Sequence, residues 1–101
     1  MNYLTEIENH RAEISIICQQ LGVRRLELFG SALDSDSPRD LDFLLDLGVR
    51  PPADYATAYF SLQEKLQELF ALPVDLVTLP GLKNPYLRQR VEQTKTLLYA
   101  A

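Results

Sequence analysis

Two aspartates separated by one residue, Asp40 and Asp42, are the first place in this chain where residue type and spacing allow chemistry. In an extended segment, residues two apart point to the same side. Asp40 and Asp42 then project together, while Leu41, Phe43 and Leu45 point to the opposite, core side. Two carboxylates held about 5–7 Å apart repel, and one takes up a proton unless a cation sits between them. A divalent ion resolves that conflict, and Mg2+ favours one or two carboxylates completed by phosphate oxygens. An Asp-x-Asp pair by itself is more often a solvated strand face, so its weight must come from its neighbours.

Two neighbours supply that weight. Gly30-Ser31 stands where a strand runs into a turn or a helix start. Such a junction exposes backbone N–H groups, glycine lets a phosphate approach without a Cβ in the way, and the Ser31 hydroxyl adds a donor. Asp75 interrupts the apolar segment Val74-Asp75-Leu76-Val77, where an unpaired buried charge is costly. If that segment lies beside the Asp40–Asp42 strand, three carboxylates share one edge. The third can then bind a second metal or act as a base on an attacking hydroxyl. Each piece alone has a plainer reading, an ordinary Gly-Ser turn or an edge-strand carboxylate facing solvent.

The elements that must position these residues are legible in the hydrophobic spacing. Leu4, Ile7, Ile14, Ile17, Cys18 and Leu21 predict a helix over 4–21, stopped by Gly22 as a C-cap. Arg25 to Phe29 alternates as a short strand ending at Gly30, and Ser31 to Arg39 is a polar loop. Asp40 to Leu47 is a second strand, broken by Gly48 and Pro51-Pro52. Asp54 is the expected N-cap of an amphipathic helix carrying Tyr55, Ala58, Tyr59, Leu62, Leu66, Leu69 and Phe70. Pro73 to Leu79 is a third strand, Asn84-Pro85 opens a last helix, and Thr96 to Tyr99 is a short closing strand. The predicted order is α-β-β-α-β-α with a short C-terminal strand.

Composition narrows the function classes. The 101 residues, 47% hydrophobic, are enough for one domain with a modest core, taken here as residues 1–101. The net charge of -4 and the scattered Arg24, Arg25, Lys83, Arg88, Arg90 and Lys95 argue against nonspecific nucleic-acid binding. Cys18 is the only cysteine, so neither a disulfide framework nor a cysteine metal cluster is available. No membrane span or signal peptide is readable, and a reducing cytoplasm is expected. His10, the only histidine, is expected at the surface; Cys18 is expected in the core, and Arg88 and Arg90 in solvent.

In combination, Leu28-Phe29-Gly30-Ser31, then Asp40-Leu41-Asp42-Phe43-Leu44, then Val74-Asp75-Leu76-Val77 resemble the minimal nucleotidyltransferases of the DNA polymerase β-like superfamily. The likeness runs from about Leu26 to Tyr99. It implies an α/β (α+β) nucleotidyltransferase fold, a small mixed sheet flanked by helices. The implied activity is transfer of a nucleoside monophosphate from a nucleotide triphosphate, with ATP as substrate and Mg2+ as cofactor. Asp40, Asp42 and Asp75 would be the catalytic and metal-binding residues, and Gly30 and Ser31 would bind the nucleotide phosphates. Stand-alone members of this length are commonly antitoxins paired with a HEPN-domain ribonuclease toxin, and several transfer AMP to a toxin tyrosine.

The resemblance therefore implies a hetero-oligomer with such a toxin, without direct nucleic-acid or membrane contact. Two departures are visible. The loop from Ala32 to Arg39 is eight residues, shorter than is common in the family, and Ala32, Leu33 and Asp34 stand where an arginine often follows the serine. Less positive charge then surrounds a triphosphate, which favours an alternative: a module that neutralises its partner by contact alone. Transfer to a small molecule such as an aminoglycoside would normally need an added domain.

Overall fold

The computed structural model describes residues 3–30, 37–78 and 84–101, apart from the side chains of Leu87, Arg90 and Thr94. The N-terminal segment forms two helices rather than the single one expected, α1 over Leu4–Asn9 and α2 over Arg11–Leu21. The break falls at His10, whose N–H turns back to the Ile7 carbonyl at 3.1 Å. Between Ile7 and Ile14 the only apolar side chain is the small, exposed Ala12. The break lets both isoleucines reach full burial. His10 is half-buried, set edge-on to Phe70 at 5.3 Å and bridging Glu6 and Glu13.

Helix α2 ends as expected. Gly22 adopts φ 68°, and the Val23 and Gly22 N–H groups bond the Cys18 and Gln19 carbonyls. That is the paired bond pattern of a glycine-capped helix end. The Arg50 guanidinium donates to the Leu21 and Gly22 carbonyls at 3.0 and 2.6 Å, satisfying further orphan acceptors there.

Four strands form one mixed sheet in the order β3-β2-β1-β4: β1 is Arg25–Phe29, β2 Leu41–Asp46, β3 Val74–Thr78 and β4 Thr96–Ala100. β1 runs antiparallel to both β2 and β4, whereas β2 and β3 are parallel. A parallel pair needs a crossover, and α3, Pro52–Phe70, supplies it. This helix begins two residues before the expected cap. Pro51 is its N-cap and Pro52 its first residue, because the fixed φ of proline suits that position and its missing N–H has no partner to lose there. Asp54 instead lies in the first turn, where its charge meets the positive end of the helix dipole. Helix α4, Pro85–Thr94, starts with Pro85 as expected.

Alternation explains the core. Leu26, Leu28, Leu41, Phe43, Leu45, Val74 and Leu76 turn to one side of the sheet, against Ile14 and Cys18 of α2 and Ala58, Leu62, Leu66 and Phe70 of α3. Burial pushes the Cys18 thiol up to about 12, so it is an inert core residue. On the other side Phe29 and Leu44 pack under Val91 of α4. Among the described residues no helix is long and apolar enough to cross a membrane.

The facing of α3 is directly testable. Leu62 is fully buried, whereas Phe60, two residues earlier, is 62% exposed. Urea denaturation is expected to show a loss of about 2–4 kcal/mol for Leu62→Ala, and a change within about 0.5 kcal/mol for Phe60→Ala.

Candidate functional site

The parallel register between β2 and β3 pairs Leu41 with Val74, Asp42 with Asp75, Phe43 with Leu76 and Leu44 with Val77. Apolar pairs on both sides of the acidic pair set this register. Sliding β3 by one residue would turn Val74 and Leu76 out of the core and Asp75 into it. The sequence therefore places two carboxylates side by side as a consequence of burying their neighbours. Asp42 is half-buried and Asp75 is exposed on the edge strand.

Asp40 sits just before the first residue of β2, so the strand is shorter at both ends than the expected 40–47. It still lies close enough to act on Asp42. The Asp42 carboxyl is raised from 3.8 to about 6, first by burial, then by the charges of Asp40 and Asp75, and then by a hydrogen bond with Asp75. Every one of these influences disfavours the charged form.

Gly30 closes the site from β1, which pairs with β2 so that Phe29 faces Asp42. It has φ 83°, and a Cβ placed there would lie 2.5 Å from Asp42 Oδ2. The glycine is needed for two reasons, a backbone conformation that L side chains rarely adopt and space already filled by the Asp42 carboxylate. The second reason was not part of the sequence reading, which assigned the missing Cβ to a phosphate. Ser31 lies outside the described residues, as do most of the loop leading to Asp40 and Leu79 at the end of the expected third strand.

The donor set fits a hard divalent cation of the open kind. Among the described residues no three His, Cys, Asp or Glu side chains converge closely enough to enclose a metal unaided. A cation here would take one or two carboxylates and complete its shell from a ligand's oxygens, the mode that polyphosphate sites use.

Two residues near this face escaped the sequence reading. Glu27, in an alternating strand, reads as solvent-facing, yet it is 4% exposed. It accepts from Arg25 at 2.9 Å and pairs with Lys95 at 3.6 Å. Glu27 lies on the side of the sheet where Leu44 packs under Val91 of α4, and its burial there is a tertiary effect with no local signal. Tyr59 reads as core stripe and does pack against the core. Its hydroxyl donates to the Leu76 carbonyl at 2.7 Å, and its pKa is raised by burial and by the nearby Asp75 charge. Its helical spacing marked the apolar stripe and gave no hint of the hydroxyl's partner.

The raised Asp42 pKa gives a signed pH dependence. The folded state holds this proton more tightly than the unfolded chain, so stability is lost as pH climbs from the ordinary carboxylate range through about 6. Asp42→Asn is expected to raise stability of the metal-free protein at pH 7.5 by about 1 kcal/mol, a figure reduced because the group is partly solvated. At pH 4, where both forms are largely uncharged, chemical denaturation should show little difference between them. Equal stability of the two at pH 7.5 would contradict the crowded-carboxylate picture.

Comparison with known proteins agrees with this arrangement. The sequence profile of a family described as nucleotidyltransferase domain matches residues 11–98. A Methanocaldococcus jannaschii protein assigned by name as a protein adenylyltransferase is 29% identical over 96 residues, covering 92% of this chain and 95% of that one. A solved structure described as a minimal nucleotidyltransferase is 29% identical, with a TM-score of 0.64 over 95% of each chain. A Shewanella oneidensis complex of an MNT antitoxin with its tri-AMPylated HEPN toxin matches in fold. Its TM-score is 0.61 at 21% identity, over 93% of this chain and 72% of that one. With the family profile spanning residues 11–98 and the acidic β2–β3 pair beside Gly30, the chain belongs to the nucleotidyltransferase domain family.

Proposed function

We propose that this chain is an antitoxin that neutralises a HEPN-domain ribonuclease toxin by transferring AMP from ATP to a tyrosine of that toxin, with Mg2+ as cofactor. The observation that carries the reading is the in-register Asp42–Asp75 pair, repelled also by Asp40 and backed by Gly30. It is supported by the M. jannaschii protein, named for protein adenylylation, and by the tri-AMPylated toxin in the S. oneidensis complex.

In this reading Asp40 and Asp42 hold Mg2+. When bound, the ion neutralises charge on the phosphates and on the transition state. Gly30 and Ser31 present backbone and hydroxyl donors to the phosphates, and the left-handed Gly30 turn keeps the Asp42 carboxylate against the β1 terminus. Asp75 is exposed on the edge strand, which supports its assignment as the carboxylate that meets the acceptor hydroxyl. It orients that hydroxyl and accepts its proton as the new oxygen–phosphorus bond forms at the α-phosphorus. The bond from that phosphorus to the bridging oxygen breaks, and pyrophosphate leaves. Positioning and charge stabilisation carry the rate. ATP as the nucleotide is taken from the family.

Neutralisation by contact alone is the second reading, favoured by the short loop in which Ala32, Leu33 and Asp34, not an arginine, directly follow Ser31. One experiment separates the two. The chain is incubated with α-labelled ATP, Mg2+ and the protein encoded by the neighbouring reading frame, and label on that partner is followed by mass spectrometry. AMP is expected on a partner tyrosine, with Asp42→Ala lowering the rate on the order of 100-fold or more. A stable complex that blocks the ribonuclease without label, identically in Asp40→Ala and Asp42→Ala, would establish the contact reading instead.

A further inference from the structure

Among the described residues, the edge strand that carries Asp75 has no strand beyond it. Backbone groups along a strand alternate sides. The Pro73 carbonyl accepts from Leu41 N–H at 2.9 Å on the β2 side, so Val74 and Leu76 turn their backbone groups outward and Asp75 turns its groups toward β2. The outward groups meet side chains of α3. Tyr59 Oη donates to the Leu76 carbonyl at 2.7 Å. Gln63 Nε2 donates to the Val74 carbonyl at 2.9 Å. Gln67 Oε1 accepts from the Val74 N–H at 3.1 Å. These three residues are four apart and make one stripe along the helix.

The stripe brackets Asp75, gripping the backbone of the residue before it and the residue after it. That matters because the Asp75 side chain is exposed on the edge strand. Its place beside Asp42 depends on where the β3 backbone lies, and the like charges tend to push β3 away. β2 fastens β3 from one side only, so an edge strand with a free outer row would be the element most able to fray.

We infer that Tyr59, Gln63 and Gln67 are positioning residues for the third carboxylate: α3 takes the place of a missing fifth strand, clamping Val74 and Leu76 so that Asp75 stays beside Asp42. The inference rests on the reading of Asp75 as the acceptor-facing carboxylate. The chemistry of each contact is specific. Position 67 needs only an acceptor, and position 63 needs only a donor. Gln67→Glu therefore keeps its bond, whereas Gln67→Met and Gln63→Glu lose theirs, and Tyr59→Phe loses the hydroxyl but keeps the ring.

Two readouts on the intact chain test this. The first is amide hydrogen exchange of β3 in the free protein. Tyr59→Phe and Gln67→Met are expected to speed exchange at Asp75 about fivefold or more, with β1 unchanged and Gln67→Glu close to the parent. The second is kinetics of AMP transfer to the partner protein. The same two variants should lower kcat about fivefold while KM for ATP stays within about twofold, and Gln67→Glu should restore kcat.

Unchanged exchange in the variants would overturn the clamp. Faster exchange with unaltered kcat would overturn its positioning role, as would a uniform loss that Gln67→Glu fails to rescue. The exchange measurement needs no turnover, so failure of the clamp is distinguishable from failure of the transferase reading. A fully active Asp75→Asn would overturn the positioning role, because it would show that the carboxylate being positioned is not needed, while leaving the transferase reading in place.

Discussion

The parallel pairing of β2 with β3 holds Asp42 directly against Asp75, two like charges in a position that the apolar pairs around them enforce. Magnitudes decide why the sheet nonetheless forms. Burying Leu41, Phe43, Val74 and Leu76 stabilises by roughly 1.5–3 kcal/mol per side chain. Repulsion between two partly solvated carboxylates costs about 1–4 kcal/mol. The hydrophobic core therefore wins and carries the acidic pair with it. Part of the resulting strain is relieved by the proton that Asp42 retains to about pH 6.

The same balance explains why this edge suits a cation. The groups that shift Asp42 are burial and two other carboxylates, with no basic residue among them. Among the described residues, Arg25 and Lys95 pair with Glu27, and Arg50 donates to the carbonyls at the α2 terminus. Charge left unbalanced by the protein is available to a metal–polyphosphate ligand. Gly30 adds a steric condition, since the Asp42 carboxylate occupies the volume its side chain would need.

Much of this was legible in the sequence because it rests on local periodicity. Alternation in 25–29 and 41–46, the glycine stop at Gly22 and the stripe Ala58–Leu62–Leu66–Phe70 each follow from nearest-neighbour rules, and so does the presence of a strand around Asp75. What escaped depended on contacts distant in sequence. The break at His10 answers to packing against Phe70, sixty residues later. The burial of Glu27 needs α4 laid over the sheet. The start of α3 was misplaced because a good capping residue, Asp54, competed with a double proline whose fixed backbone governs the first turn. Among the candidate site residues, sequence could nominate Asp40, Asp42, Asp75 and Gly30. Which carboxylate is crowded, and what fills the space above Gly30, are properties of strand register.

The central claim is that these carboxylates form the open metal–nucleotide site of the family. A crystal structure of the chain with Mn2+ and a nonhydrolysable ATP analogue tests it most directly. The account predicts an anomalous manganese peak bridging Asp40 and Asp42 to the phosphates, with the triphosphate against Gly30 and Asp75 facing the α-phosphorus. A nucleotide bound elsewhere, or manganese absent from both aspartates at saturating ligand, would contradict it.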